Sequence, residues 1–424
     1  MDRPLPRASD VSQSEQLKRA AAQADAPATA LAHQRAHERA TERASALADA
    51  LTTLQDPCVR DLAWLLLAPR LLSAHAFGSL LVAPPEGVAD LLDALRKLDT
   101  DPSPLHQTLA PLTTRRVGHY AERLVHFALS AMSSYTLIAA NLPLRLHKQT
   151  VGECDFLLED PAGVRLHWEL AVKCYLRVDP NEIDLPLDDS LAAFVGPALG
   201  DRLDIKLARM LDHQLPLSGR ADYAALLPPG PWQAQMWISG WLFDRFDHWY
   251  ARRPMQMDPR LAADLSTGFW VPASQWHELA AMIGAQGWTQ LPRLRWIAPL
   301  ARPDASFCDE AGMSARIADA FLREPSLNEA GDSEVSIASH DASGVAAAQA
   351  MTRERIDRSG GASEPAADVM PGAALGYVPR ARTRDDPFAI AAWKQGADGR
   401  WVECARGFVV ADDWEPRARV FAAS

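Results

Sequence analysis

Two runs of alternating apolar and polar residues lie near the middle of the chain, at 153–158 and 164–176. Alternation with a period of two is typical of a β-strand with one buried face. The second run has every other residue from Val164 to Leu176 on its apolar face, and its opposite face carries Arg165, His167, Glu169, Ala171, Lys173 and Tyr175. A Pro-Ala-Gly turn at 161–163 joins the two runs, so we predict an antiparallel hairpin.

Other elements follow from the same kind of pattern. Apolar residues at three- and four-residue steps predict a helix over "VGHYAERLVHFALSAM", with Glu122 on the flank of its apolar stripe, and another over "DRLDIKLARMLDHQL". Residues 231–300 are expected to combine strands at "QAQMWISGWLF" and "LRWIAPL" with a helix around "ASQWHELAAMIG". Two further strand-like runs surround a Gly-Ala-Asp-Gly turn at 396–399.

Composition divides the chain into four parts. Residues 1–45 are rich in Ala, Arg, Glu, His and Gln and predict a disordered or frayed helical arm. An α/β domain is expected over 46–304, followed by a flexible low-complexity insertion over 305–375 that has few large apolar residues. In the last part, 376–424, the predicted strands are expected to pack back on the main domain.

Length and residue content point to a globular, cytoplasmic protein. The chain has 424 residues, of which 48% are hydrophobic and 13 are tryptophan, enough for a sizeable core. Its five cysteines form no CxxC pair, so neither a disulfide framework nor a zinc finger is indicated. The most apolar run is interrupted by Pro69 and Arg70, and the N-terminus lacks a signal-peptide core, so we expect no membrane segment.

Charge is unevenly distributed. The net charge of −11 disfavours broad adhesion to nucleic acid, which depends on lysine and arginine neutralising phosphates. Two local groups could still bind a phosphate backbone, one before the hairpin and one along the helix after it; their candidates are Arg115, Arg116, Arg145, Lys206 and Arg209. Alternatively, the basic stripe of the later helix is a solvated face paired with Asp201 and Asp204.

The polar face of the hairpin carries the candidate chemistry. If the turn centres on Ala162, residues whose numbers sum to 324 are opposed, which places Asp155 across from Glu169 with Cβ atoms about 4.5–5.5 Å apart. Two such carboxylates can share a cation, and Lys173 follows on the same face. This set suits phosphodiester hydrolysis assisted by a metal, in which a lysine positions water or stabilises charge. The alternative interpretation is a strand whose polar residues simply face solvent.

The segments "GECDFLLED" and "HWELAVKCYL" resemble the core of the PD-(D/E)xK nuclease superfamily. A more specific resemblance, extending over "VRDLAWLL", "GHYAERLVHFAL" and "DRLDIKLARMLDHQL", is to a bacterial family, domain-of-unknown-function family 1853. The resemblance implies a restriction-endonuclease-like mixed sheet flanked by helices and a Mg²⁺ or Mn²⁺ cofactor.

The same resemblance implies roles for individual residues. Asp155 matches the strand acid, Lys173 the final lysine, and Glu122 the acid from the first core helix. Ala171 stands at the usual acid position two before Lys173, but period-two geometry leaves Glu169 on the same face as a substitute metal ligand. Lys206 and Gln214 are candidates for a helper residue on the following helix.

Two further hypotheses remain open at the level of sequence. The first is a catalytically degenerate module of the same fold that binds nucleic acid or protein, because Ala171 replaces an acid. The second is a protein-interaction scaffold that uses the tryptophan-rich stretch 231–300, although tryptophans at this density more often form core. The choice between DNA and RNA and the oligomeric state stay open.

Overall fold

The computed structural model describes residues 38–113, 116–147, 149–179, 189–252, 258–321 and 386–424. The predicted arm therefore lies outside the described residues up to 37, and the chain is helical from 38 to 53. The predicted insertion lies outside them from 322 onward, and so does Arg115.

Helices occupy most of the described residues from 38 to 131 and recur between the later strands. Over the described residues they are α1 (38–53), α2 (Pro57–Leu67), α3 (Ala74–Phe77), α4 (Val88–Thr100), α5 (Ser103–Leu109), α6 (Val117–Ala131), α7 (Leu203–Arg209), α8 (Phe246–Tyr250), α9 (Trp276–Ile283), α10 (Glu310–Phe321) and α11 (Trp414–Ala422). The helices predicted over 117–132 and around 273–284 are thus confirmed.

The strands form one mixed sheet, so the chain is an α/β protein. They are β1 (Thr136–Leu146), β2 (Gln149–Glu159), β3 (Arg165–Arg177), β4 (Phe194–Val195), β5 (Gln233–Arg245), β6 (Thr267–Pro272), β7 (Gly287–Leu291), β8 (Phe388–Gln395) and β9 (Trp401–Val410). Their order is β1-β2-β3-β5-β6-β9-β8-β7, with the short β4 paired to β3. Strands β3, β5, β6 and β9 run parallel to one another, and the remaining pairs are antiparallel.

The register predicted for the hairpin is confirmed. Strands β2 and β3 pair Phe156 with Trp168 and Glu159 with Arg165, and both pairs obey the sum of 324. Asp155 and Glu169 are the next opposed positions in this register. The turn at 161–163 therefore sets which residues of the two strands meet.

The alternative that the polar face of β3 faces solvent is wrong. His167 and Glu169 are fully buried, Ala171 and Tyr175 are buried, and only Lys173 among the inner positions is partly exposed. The reason is that other elements pack on both faces of β3, while β2 and β5 pair with its edges. The segment from α7 to residue 219 packs on the face that carries Glu169.

The strand predicted at 294–300 is also wrong. A short 3₁₀ turn, Arg293–Arg295, begins this stretch, and its backbone then bonds to side chains of α2 instead of to a strand. Ala298 N–H donates to Asp61 (2.9 Å), and Arg60 donates to the carbonyl of Pro299 (2.8 Å). These buried side chains satisfy the backbone that a neighbouring strand would otherwise satisfy.

The tryptophan-rich stretch mainly builds the core. Trp237, Trp241, Trp270, Trp276 and Trp288 are buried, and Trp64 of α2 stacks on Trp241 with ring centroids 5.7 Å apart. This burial leaves little of the stretch on the surface for a partner, which favours the core interpretation of the tryptophans.

The two strands predicted near the C-terminus are present and complete the sheet. Strand β9 pairs in parallel with β6, and β8 pairs antiparallel with both β9 and β7. Among the described residues, every helix is too short or too polar to cross a membrane.

Candidate active site

The candidate site begins where β2 and β3 stop pairing through their backbones. Beyond Phe156 and Trp168, the Leu170 N–H donates to Oδ2 of Asp155 (2.8 Å), so a carboxylate takes the place of a backbone acceptor. The Asp155 N–H donates in turn to Oε1 of Glu169, at 3.4 Å. The two acids that the register predicted to be opposed therefore lie side by side between the strands.

Glu169 is held at both carboxylate oxygens. His167 Nε2 lies 2.8 Å from Oε1, and Gln214 Nε2 donates to Oε2 at 2.5 Å. The side chain is completely excluded from solvent. A buried carboxylate needs such donors. Burying even an uncharged polar group without a hydrogen bond costs about 2–7 kcal/mol, and burying a charged group costs more.

His167 links Glu169 to the segment that covers it. Its Nδ1 lies 2.9 Å from Ser218 Oγ, and the ring is completely buried. A neutral ring that donates from Nε2 to the carboxylate accepts from the serine hydroxyl at Nδ1, which satisfies both ring nitrogens. Ser218, His167 and Glu169 thus form one hydrogen-bonded chain.

The covering segment owes its shape to a change of helix type. Helix α7 ends at Arg209 and continues as a π-helical turn, Met210–Gln214, followed by a 3₁₀ turn, Leu215–Gly219. Pro216 lies in the first turn of the last element and interrupts the regular hydrogen bonding. Single π-helical turns are often found at functional sites. Here the segment brings Gln214 and Ser218 to β3.

Lys206 and Glu122 complete the cluster from two helices. Lys206 Nζ donates to Gln214 Oε1 (2.8 Å), which connects the lysine to Glu169 through the amide. Glu122 of α6 accepts from Asn141 Nδ2 at 3.2 Å. Asn141, which has φ 49°, lies on β1 opposite Asp155, between the pairs Ala140–Phe156 and Leu142–Cys154.

Burial and neighbouring charges shift pKa values within the cluster. Burial and then the charge of Glu169 raise the pKa of Asp155 to about 8. Burial also raises the pKa of Glu122, and Glu153 and Glu169 add to the shift. Burial lowers the pKa of Lys206, as does Lys173, while Asp155 and Glu169 oppose the change. A cation or a proton is the natural partner of such a carboxylate group.

The residues predicted from the sequence are only partly brought together. Asp155, Glu169, Glu122 and Lys206 form the cluster, whereas Lys173 Nζ makes an ion pair with Asp201 at 2.5 Å. Lys206 is therefore the lysine that the structure connects to the carboxylates.

The remaining basic candidates lie at the surface. Arg209 is exposed at the end of α7, Arg145 is exposed near the end of β1, and Arg116 is exposed immediately before α6. Arg115 lies outside the described residues. These three side chains flank the elements that carry the cluster and do not enter it.

Sequence reasoning assigned no role to His167, Ser218 or Asn141. His167 precedes Glu169 by two residues on the same face of β3, so its proximity was readable from the alternation. Ser218 and Asn141 carried no such signal, since one depends on the π-helical turn and the other on the pairing of β1 with β2.

The comparisons with known proteins bear on the family. A family model described as "Domain of unknown function (DUF1853)" matches residues 60–344. This range contains β1 to β7 and every member of the cluster. Neither the curated proteins nor the solved structures contain a match to the chain.

Proposed function

The chain belongs to the DUF1853 family, and from its carboxylate cluster we propose that it is a metal-dependent phosphodiesterase, a nuclease acting on DNA or RNA. The observation that carries the proposal is the pair of adjacent acids, half-buried Asp155 and fully buried Glu169, with Lys206 reaching Glu169 through Gln214. A mixed sheet whose hairpin and preceding helix supply acids supports the resemblance to the PD-(D/E)xK superfamily.

The donor set fits a hard divalent cation. Asp155 uses Oδ2 for the Leu170 N–H, and no hydrogen bond within the described residues engages its Oδ1. Burial and then repulsion from Glu169 raise the pKa of Asp155, and a cation would relieve that repulsion. Asp155 and Glu169 would hold Mg²⁺ or Mn²⁺, with Glu122 as an auxiliary acid. When bound, the ion would polarise the phosphate and lower the pKa of a coordinated water.

The other residues of the cluster position and stabilise. His167 and Gln214 fix the Glu169 carboxylate from both sides, so its oxygens do not reorient during the reaction. Lys206, in contact with Gln214 and near both acids, would stabilise charge that develops on a phosphate. Lys173 is the alternative lysine for this role, provided that it leaves Asp201. The exposed Arg116, Arg145 and Arg209 would contact the nucleic-acid backbone.

A second candidate is a binding module without catalysis. The observation that favours it is the hydrogen bonding of both Glu169 oxygens to side chains, together with Ala171 at the position where the superfamily carries an acid. In that case nucleic-acid binding would be independent of metal and would weaken as salt rises.

Cleavage assays on the purified protein separate these candidates. Labelled single-stranded, duplex and branched DNA and an RNA are incubated in Mg²⁺, in Mn²⁺ and in EDTA, with Asp155→Asn, Lys206→Ala and Lys173→Ala in parallel. The matched control is Asp212→Asn, an exposed acid on the covering segment.

We expect metal-dependent cutting that Asp155→Asn and Lys206→Ala each reduce by at least about 100-fold and that Asp212→Asn retains. Cutting that survives Lys206→Ala and is lost in Lys173→Ala would assign the charge-stabilising role to Lys173. Salt-sensitive binding without cutting of any substrate would favour the binding module.

A further inference from the structure

A second group of metal-ligating side chains lies outside the carboxylate cluster, at the N-terminus of α2. Asp56, Cys58 and His106 each offer one ligand atom, and these atoms all lie within 4.8 Å of one another. Two of the residues come from the start of α2 and the third from α5. We propose that Asp56, Cys58 and His106 form a site for Zn²⁺ or a similar borderline cation.

The ligand types indicate which cation would bind. A thiolate, an imidazole and a carboxylate are the ligands that zinc takes in proteins, whereas Mg²⁺ prefers oxygen alone. Zinc bonds of about 2.0–2.3 Å in tetrahedral geometry separate neighbouring ligand atoms by roughly 3.3–3.8 Å. Asp56 Oδ2 and His106 Nε2, which lie 2.9 Å apart, would therefore have to separate by roughly 0.4 Å. Cys58 Sγ would have to approach them by at most about 1.3 Å, within the reach of side-chain rotation.

Asp56 can serve the helix and the ion at the same time. Its Oδ1 accepts from the N–H groups of Cys58 and Val59 and caps α2. Its Oδ2 faces His106 Nε2 at 2.9 Å. An ion between these two atoms would replace the proton that the imidazole now donates and would leave the cap intact.

The backbone that presents these ligands is held in place. Asp99, in the last turn of α4, accepts hydrogen bonds from the N–H groups of Gln55 (3.0 Å) and Asp56 (2.7 Å). Arg60 donates to the carbonyls of Leu51 and Leu54 and ties the end of α1 to α2. Because the loop is fixed before any ion arrives, little ordering would be needed on binding.

The site opens onto a large cleft. A cavity of about 1230 Å³ is lined by all three ligands and by Asp61, Gln290 and Ser306. Catalytic zinc has three protein ligands and one position left for water or another molecule, whereas structural zinc has four protein ligands. The fourth ligand at this site would be a water that faces the cleft.

Cobalt substitution tests the site in the full-length protein. The chelator-treated protein is titrated with Co²⁺ in excess Mg²⁺, which occupies oxygen sites such as the carboxylate cluster. The absorption of thiolate-to-cobalt charge transfer is recorded, and Zn²⁺ is then added as a competitor. Variants are Cys58→Ser and His106→Gln, and Cys404→Ser, an exposed cysteine on β9, is the matched control.

We expect a charge-transfer band that saturates at one Co²⁺ per chain, disappears on addition of Zn²⁺ and is retained by Cys404→Ser. Cys58→Ser should abolish the band, and His106→Gln should weaken cobalt binding by at least about 10-fold. No band in the wild type, or a band retained by a folded Cys58→Ser, would overturn the proposal and leave Asp56 and His106 as a capping ion pair. If Cys58→Ser does not fold, unchanged affinity in His106→Gln has the same meaning. The readout does not depend on nuclease activity, so it can fail or succeed independently of the proposed function.

Discussion

At the scale of single residues, the Glu169 carboxylate combines full burial with hydrogen bonds from three elements. Glu169 is hydrogen-bonded by His167 of its own strand, by Gln214 of the covering segment and by the backbone of Asp155. Each donor compensates part of the cost of removing a charged group from water. Removing one donor should therefore cost more than its own hydrogen bond, because Glu169 cannot turn to solvent.

His167 provides a direct test of this arrangement. His167→Ala leaves one oxygen of a buried carboxylate without its donor and opens a void, so we expect a loss of about 3 kcal/mol in the free energy of unfolding. Urea denaturation measures the change. His277→Ala, at an exposed histidine of α9, should change stability by less than about 0.5 kcal/mol. Similar effects of the two substitutions would contradict the role assigned to His167.

The raised pKa of Asp155 predicts how stability depends on pH in the absence of metal. The folded protein keeps the Asp155 proton up to about pH 8, whereas the unfolded chain loses it near about 3.9. Between these values the folded state binds more protons, so the contribution of Asp155 to stability falls as pH rises. Asp155→Asn removes this titration.

Thermal unfolding in EDTA at pH 5 and pH 8 measures the difference. Relative to wild type, Asp155→Asn should be more stable at pH 8 than at pH 5. Adding Mg²⁺ at pH 8 should raise the melting temperature of the wild type and not that of Asp155→Asn, since only the carboxylate provides the ligand. A constant difference between the two proteins across pH would rule out this titration.

The sequence predicted part of the cluster for a physical reason. Period-two alternation and a three-residue turn determine which side chains of a hairpin face each other, so the pairing of Asp155 with Glu169 could be read directly. The lysine could not be assigned in the same way. Lys173 shares the face of Glu169, but it forms an ion pair with Asp201, which lies much later in the chain, just before α7. Lys206 contacts the cluster instead.

At the scale of elements, the position of the β3 strand, which carries Glu169, depends on its close pairing with β5. Gly240 of β5 lies opposite Lys173, with φ 147°, and a Cβ there would lie 1.7 Å from the Lys173 carbonyl oxygen. Only glycine allows this approach, and the backbone of both strands would have to separate to admit any side chain.

Gly240→Ala should therefore destabilise the protein by at least about 4 kcal/mol or prevent folding. The matched control is Gly200→Ala, where an added Cβ meets no atom within 4 Å. Circular dichroism and urea denaturation compare the two. A folded Gly240→Ala with the stability of the control would show that β3 and β5 can separate at this point without cost.

Element prediction succeeded where periodicity alone decides the structure. The α6 helix and strands β3, β5, β8 and β9 follow from their apolar spacing. It failed at 294–300, because apolar residues there contact α2 while the buried side chains of Arg60 and Asp61 satisfy the backbone. The change from α7 to a π-helical turn was equally unreadable, since it depends on the contacts of Gln214 and Ser218 with β3.

At the scale of the whole molecule, the sheet joins parts of the chain that are distant in sequence. Strands β8 and β9 lie between β6 and β7 and pair with both. Helix α11 is joined to the start of α7, where Arg202 donates to the carbonyls of Phe421 and Ala422. The C-terminal strands are thus an interior part of the sheet.

Deleting residues 386–424 should abolish cooperative unfolding. The deletion leaves β7 without its strand partner and β6 with only β5. It also removes the core residues Phe388, Ile390 and Phe408 and so exposes the apolar side chains that pack against them. Calorimetry checks the result. Val420→Ser, at an exposed residue of α11, should unfold like the wild type. A cooperative transition in the deleted protein would mean that the preceding strands form an independent unit.

The position of β9 also has a consequence for synthesis. Strand β6 ends at residue 272, and its neighbour β9 begins at residue 401, so about 130 further residues must be translated before the two can pair. At ribosomal rates of about 5–20 residues per second, this delay is roughly 6–26 s. During that time the edge of β6 is an unpaired template for other strands. The nascent chain should therefore be a client of chaperones until its last strands emerge.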